Sequence, residues 1–283
     1  MNTIQLPDGT RLPKVGQGTW YLGEDPAKHP GEVETLRWGA QNGLYLIDTA
    51  EMYGDGASEE LVGEAIRPLD REKLFLVSKV YPWNAGKPDI FNSCQDSLDR
   101  LGTDYLDLYL LHWRGSVPLQ ETVACMEELK AEGKIRRWGV SNFDTEDMQE
   151  LLRLKKGENC AVVQDLYHLG SRGVEYDLLP FLRRQGIPLM AYSPLAQAGR
   201  LRSGLTRSPA VGTVAKNHGI TPLQVLLAFV VAQEGVFAIP RASRVEHVQA
   251  NCAAAQVQLT EEELALLDRA FPAPGHKVGL DMI

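Results

Sequence analysis

The sequence predicts an α/β fold, a (β/α)8 TIM barrel with an N-terminal β-hairpin, carried by a single domain over residues 1–283. Three observations predict it. Eight short apolar runs alternate with amphipathic segments along a chain of domain size. No linker-like break in composition divides that chain. The phosphate-binding fingerprint of a doubly wound sheet is also missing after the first run. There Gly16-Gln17-Gly18-Thr19-Trp20 lacks the third glycine and runs on into Pro26 and Pro30.

The elements follow in order. Ile4-Gln5-Leu6 and Arg11-Leu12-Pro13 flank Pro7-Asp8-Gly9, a turn signal, so a small hairpin precedes the repeat. Candidate strands fall at residues 15–19, 45–49, 74–80, 107–112, 137–142, 162–167, 187–193 and 236–240. Helical patterns separate them, among them 32–41, 58–67, 89–101, 121–131, 144–154, 221–233 and 245–254. Thr221 followed by Pro222 is a sensible N-cap and first-turn pair. Residues 259–267 predict a closing helix ahead of a Pro/Gly-rich tail.

Composition narrows the function. A hydrophobic content of 44% supports a sizeable core. The net charge of −8 argues against nucleic-acid or anionic-membrane partners, while leaving room for a local basic pocket. Cys94, Cys125, Cys160 and Cys252 are scattered without CxxC or zinc spacing, and read as reduced thiols. The N-terminus lacks a basic-then-apolar signal pattern, and no apolar run reaches membrane-spanning length. A soluble, cytoplasmic protein is expected.

Chemistry concentrates around residues 46–56. The apolar run Leu44-Tyr45-Leu46-Ile47 ends on Asp48, a charge that is costly to bury without a partner. Tyr53 follows, with Gly54 and Gly56 suited to a tight loop. A later β-run carries Lys79, and another ends on His112. Parallel strands bring their C-terminal ends to one face, where Asp48, Tyr53, Lys79 and His112 would converge. Taken singly these residues have ordinary readings: a strand-end cap, loop packing, a buried ion pair. An ion pair alone does not explain why Tyr53 and His112 accompany it.

The stretch D-T-A-E-x-Y-G, a strand lysine, the strand-end L-H-W and the later K-I-R-x-x-G-V-S-N-F together resemble the aldo-keto reductase superfamily over residues 14–251. Within it, the sequence is most similar to short-looped bacterial reductases of methylglyoxal and other small carbonyls. Carbonyl reduction needs hydride at carbon and a proton at oxygen, and Tyr53 is the expected proton donor. A free phenol has a pKa of about 10, poorly matched to neutral pH. An ammonium at roughly 4 Å contributes on the order of 4 kcal/mol at an effective dielectric of 20, so Lys79 is expected to lower the Tyr53 pKa. Asp48 would hold Lys79, and His112 would orient the substrate oxygen. These four roles match the family's tetrad.

The resemblance also implies NADPH/NADP+, with NADH as a weaker substitute. It assigns Ser141, Asn142 and Gln164 to the nicotinamide amide, and Tyr192 to stacking on the nicotinamide ring. Without it, Ser141-Asn142-Phe143 could simply start a helix with an Asn cap, and Tyr192 could be barrel packing. Gly18, Thr19 and Trp20 are counted with the cofactor site. The small-residue loop 193–201 suits close backbone approach by a pyrophosphate, through Ser193, Pro194, Leu195, Gln197 and Gly199. An ordinary βα loop is the alternative. Arg241, Ser243 and Arg244 lead into a helix whose N-terminus suits a phosphate anion, matching the family's 2′-phosphate site. The sequence departs from the family pattern there. Arg241 stands for a usual Lys, Ala242 for a Ser, His247 for an Arg and Ala250 for a Glu, while Asn251 keeps an adenine contact.

Trp20, Trp83 and Trp113 follow the first, third and fourth runs and are expected to line an apolar mouth. Trp38 and Trp138 read as packing, and His168, His218 and His276 as structural or solvent-facing. No metal-ligand spacing is present, and hydride transfer needs no metal. The loop after His112 is short, as is the tail, which favours an open pocket for small dicarbonyls in a monomer. One rival is a nicotinamide-cofactor-sensing binding subunit with little turnover. A barrel hydrolase would need a second carboxylate or a metal at the site.

Overall fold

A computed structural model describes residues 2–196 and 200–283. Strands β1 (Thr3–Gln5) and β2 (Arg11–Pro13) pair antiparallel, with Ile4 opposite Leu12. The turn between them is closed by Gly9 in the left-handed region, φ +90°. Then come β3 (Gln17–Gly18), β4 (Leu46–Asp48), β5 (Phe75–Val80), β6 (Leu108–Leu111), β7 (Trp138–Ser141), β8 (Cys160–Leu166), β9 (Leu189–Tyr192) and β10 (Val236–Ala238). These eight lie side by side in chain order, all parallel.

The last strand returns to the first. Val15 bridges Ala238 and Gly18 bridges Arg241, both parallel. The Gly16 N–H donates to Ala238 O at 2.8 Å and the Ala238 N–H to Lys14 O at 2.9 Å. The eight-stranded sheet is thus a closed barrel with a hairpin ahead of it, as the alternating runs predict. Closure needs Gly18, because a Cβ there would lie 2.6 Å from the Ile239 carbonyl oxygen.

Strand alternation sorts the core into two layers. Leu46, Phe75, Val77, Leu108, Leu110, Val162, Met190 and Phe237 form the interior cluster, joined by Ile4, Leu6 and Leu12 from the hairpin segment. Ile47, Leu76, Tyr109, Val140, Val163, Leu189 and Val236 alternate with them and pack outward against the helices. Continuing the inward register by two residues toward each strand's C-terminal end reaches Asp48, Lys79, His112, Ser141, Gln164 and Tyr192. The periodicity that fills the barrel therefore sets polar groups around its upper rim.

Helices His29–Gln41, Ala57–Ile66, Asp89–Leu101, Leu119–Ala131, Thr145–Arg153, Pro222–Ala232, Val245–Ala254 and Glu261–Ala270 lie within a few residues of the predicted segments. Thr221 caps its helix as expected, accepting the Gln224 N–H at 3.3 Å. Three further helices were outside the sequence pattern: Leu178–Gln185, Arg200–Thr206 and Pro209–His218. The second corrects the reading of residues 193–201 as loop throughout. It is seven residues long and contains Gly204, too short and too weakly patterned to announce itself. Trp138 is buried and donates to Glu127 Oε1 at 2.7 Å, and Trp38 packs against the outer core. Among the described residues all four cysteines are free, no side-chain cluster could hold a metal ion, and no single helix is long and apolar enough to cross a membrane.

Candidate active site

Lys79 is wholly buried, and its ammonium spends its three donors on three acceptors: Asp48 Oδ2 at 2.8 Å, Thr49 O at 2.8 Å and Tyr53 Oη at 3.1 Å. An ammonium only donates, so the phenol oxygen accepts from it. The Tyr53 O–H proton is left free for another partner. Asp48 is held from the other side by Gln164, whose Nε2 donates to Oδ1 at 2.8 Å. Tyr53 opens a short turn, Tyr53–Gly56, in which Gly54, Asp55 and Gly56 all take positive φ. That run explains the two glycines in the motif. His112 lies edge-on to Tyr53, ring centroids 5.8 Å apart.

Electrostatics refine the expected roles. Burial works against the Lys79 ammonium, yet Asp48 and Tyr53 hold its pKa above the usual value, so it is charged. Burial raises the Tyr53 phenol and Lys79 pulls it down, with a net shift upward. Lys79 thus lowers the phenol as expected, but burial outweighs it, with Asp48 adding to the rise, because the phenol is desolvated as well as paired. Burial, helped by Lys79, lowers His112 well below an ordinary imidazole, so the ring is neutral, and its Nδ1 is buried without a partner among the described residues.

The residues expected at the cofactor fall into three groups. The first sits on the rim beside the tetrad. Asn142 takes the left-handed region, φ +58°, and its Nδ2 donates to His112 O at 3.0 Å and Ser141 Oγ at 3.2 Å. Its Oδ1 accepts from Tyr192 Oη at 2.8 Å. Gln164 is occupied with Asp48, and also lies 2.9 Å from Met190 Sδ. The second group belongs to the framework: Gly18 closes the barrel, and Thr19 is fully buried with Oγ1 donating to Asp48 O at 3.0 Å.

The third group lies toward the last helix. Arg241 is exposed, with Nη1 3.4 Å from Trp20 O. Ser243 precedes Arg244, the extended N-cap of Val245–Ala254, whose first turn has no side-chain cap. Arg244 Nη2 lies 2.8 Å from His247 Nε2, a contact that requires the imidazole lone pair, since guanidinium has only donors. Asn251 is buried on the same helix. Ser193 is half-buried at φ +51°, with Pro194 buried and Leu195 half-buried after it. Gln197 and Gly199 lie outside the described residues.

Trp20 and Trp113 flank the tetrad, and Trp83 extends outward from Trp113 toward solvent. Trp20 lies 6.3 Å from Tyr53, centroid to centroid, and stacks on Tyr21 at 4.5 Å. Trp113 lies 4.9 Å from His112, and Trp83 lies 5.8 Å from Trp113 while stacking on Tyr81 at 4.3 Å.

Sequence reasoning missed several supporting groups. Glu51, inside the DTAE motif, is buried and accepts the Tyr81 N–H at 2.6 Å, anchoring the aromatic wall. Arg202 donates to Leu195 O at 3.0 Å and Ala196 O at 2.6 Å, tying down the loop after β9. The Arg202 pKa is lowered by burial and then by the charge of Arg241, whereas Lys28 pairs with Asp25 at 2.7 Å. A buried acid inside a motif was a readable signal. The influence of Arg241 on Arg202 was not, because the two lie on separate segments.

Comparison with known proteins agrees with this geometry. The chain is 60% identical over 280 residues to a methylglyoxal reductase of Escherichia coli (strain K12), covering 99% of this chain and 98% of the other. It is 35% identical to an NADH-specific methylglyoxal reductase of the same strain, covering 75% of this chain and 73% of that one. A crystal structure of an aldo-keto reductase from Klebsiella pneumoniae in complex with NADPH superposes with a TM-score of 0.97 at 57% identity, covering 100% and 99% of the two chains. The aldo/keto reductase family model matches residues 14–271, and this chain belongs to that family.

Proposed function

We propose that this protein is an NADPH-dependent reductase of small aldehydes and ketones, methylglyoxal-like dicarbonyls foremost, with Tyr53 as the proton donor. The observation that carries the reading is the direction of the Lys79–Tyr53 hydrogen bond. Lys79 donates to the phenol oxygen at 3.1 Å, so the phenol proton is available to a carbonyl oxygen at the mouth. When bound, NADPH supplies the hydride. Tyr53 gives its proton to the substrate oxygen, and the phenolate left behind is stabilised by the Lys79 ammonium that already faces it. Asp48 keeps that ammonium in place. His112, neutral, offers an N–H to orient the carbonyl.

The residues present fit the cofactor. An uncapped helix N-terminus beside Arg241 and Arg244 suits a phosphate dianion, and Ser141 and Asn142 offer hydroxyl and amide partners to a carboxamide, with Tyr192, bonded to Asn142, placed to stack on the ring. Trp20, Trp83 and Trp113 would wall the substrate. The reading takes residues 1–283 as one catalytic unit, a monomer in the cytoplasm without nucleic-acid or membrane partners. The net charge of −8 and the four free thiols support that part.

The test is NADPH oxidation with methylglyoxal, other dicarbonyls, simple aldehydes and sugars. The highest kcat/KM is expected for small dicarbonyls. Tight NADPH binding without turnover of any carbonyl would instead favour a cofactor-sensing subunit.

A further inference from the structure

Asp165 is fully buried on β8, in the outward register of Val163 and Tyr167, one residue after the inward-facing Gln164. No step proposed above uses it. Its Oδ1 accepts the Phe143 N–H at 3.2 Å, and the Asn142 N–H is close enough to favour the charged form. Its Oδ2 is buried with no partner among the described residues. An unsatisfied buried polar atom is costly, and an aliphatic side chain would pack here without that cost. The carboxyl therefore calls for a role other than packing.

The role lies in the turn it holds. β7 ends at Ser141, and Asn142 then turns with φ +58°, a conformation unfavourable for a residue bearing a side chain. Two neighbours on β8 secure successive amides of that turn. The Asn142 N–H goes to the Gln164 carbonyl at 3.0 Å, and the Phe143 N–H to the Asp165 carboxyl. The turn in turn aims the Asn142 amide at His112 O, Ser141 Oγ and Tyr192 Oη.

We infer that Asp165 is a positioning residue: by accepting the Phe143 amide it fixes Asn142 at positive φ and presets Ser141 and Asn142, with the bonded Tyr192, for the nicotinamide. The inference rests on the NADPH reading above. The groups that face Asp165 favour its neutral form. Burial, with Asp144 and Asp147 nearby, pushes its pKa up to about 8, against the pull of the Phe143 and Asn142 amides. Those two acids are themselves paired, Asp144 with Lys277 and Asp147 with Arg114, and the Tyr192 phenol across the sheet feels Asp165 in the same way. A neutral carboxyl is close in shape and hydrogen bonding to a carboxamide. Asn can therefore substitute for it at neutral pH, and Leu cannot.

The experiment measures NADPH Kd by quenching of protein fluorescence, with kcat and NADPH KM at saturating carbonyl, for wild type, Asp165→Asn and Asp165→Leu. The Asn variant should bind NADPH like wild type. The Leu variant should bind about 3- to 10-fold more weakly, the size of one net hydrogen bond, with KM rising more than kcat falls. Should the Leu variant not fold, Asp165→Val supplies the same loss of acceptor in a strand-favouring side chain. Wild-type Kd and KM in the acceptor-free variant would overturn the inference, as would equal losses in Asn and Leu. If wild type itself fails to bind NADPH, the underlying cofactor reading falls, and this inference with it.

Discussion

Burial and the Lys79 ammonium pull the Tyr53 phenol in opposite directions, and burial prevails. The phenol therefore holds its proton throughout the neutral range, which suits a group that must give one up only in the transition state. A raised pKa means that protonation, and any activity depending on it, is lost only as pH rises through the raised value. The rate of carbonyl reduction should therefore be insensitive to Tyr53 ionisation up to roughly pH 10, the ordinary phenol value. Lys79→Met removes the one group pulling the phenol down, so the alkaline limb of any residual activity should move higher. An active Met variant with an unchanged pH profile would show the two groups to be uncoupled. At this scale the sequence was a good guide to which residues meet: a charge ending an apolar run is visible as a cost needing a partner. It was a poor guide to the sign of the Tyr53 shift, because how far Tyr53 is desolvated depends on chain elements remote from it.

Strands were legible and some helices were not, for reasons that lie in the elements themselves. Most barrel strands are apolar runs that meet a polar residue at or near their C-terminal ends, whereas Arg200–Thr206 is short and contains a glycine; Ser208-Pro209 was a start signal of the same kind as Thr221-Pro222 and was overlooked. The C-terminal helix, Glu261–Ala270, shows how much of an element's stability can rest on one residue. Glu263 receives its own helix's Thr260 N–H at 3.0 Å and ties to helix Pro209–His218 through Asn217 at 3.1 Å and His218 at 2.8 Å. Partial burial would raise its pKa, but His218, the Thr260 N–H and Asn217 outweigh it and hold the carboxyl at about 2. A depressed folded-state value gives stability that is present above the ordinary 4.5 and lost as pH falls toward about 2. Glu263→Ala should cost ~1–2 kcal/mol at neutral pH, read as a lower Tm, and the gap from wild type should close as pH falls through that window. The aromatic rim is a second elemental feature. Trp113→Ala enlarges the space beside His112 and should shift kcat/KM toward bulkier carbonyls. Identical relative values across small and large substrates would place that ring outside the pocket.

Closing the barrel brings the two ends of the sheet together, and with them the groups proposed to meet the cofactor. Gly18 bridges Arg241 across the closing seam, and the Arg241 guanidinium reaches the Trp20 carbonyl from the last strand's side. Eight alternating units made this architecture readable at the level of the whole chain. That Arg202 comes within reach of the Arg241 charge was not readable, since no local pattern links them. If Arg241 meets the 2′-phosphate, Arg241→Ala should weaken NADPH binding about 10- to 150-fold and leave NADH nearly unchanged, with the preference shrinking as salt rises. Equal losses for both cofactors would move Arg241 off that phosphate. The central claim, that the Tyr53 proton completes the reduction, is tested most directly by Tyr53→Phe, measured for NADPH binding and for methylglyoxal turnover under saturating conditions. Turnover should fall by about 10²–10⁴-fold with NADPH affinity retained. A Phe variant that turns over methylglyoxal at the wild-type rate would contradict it.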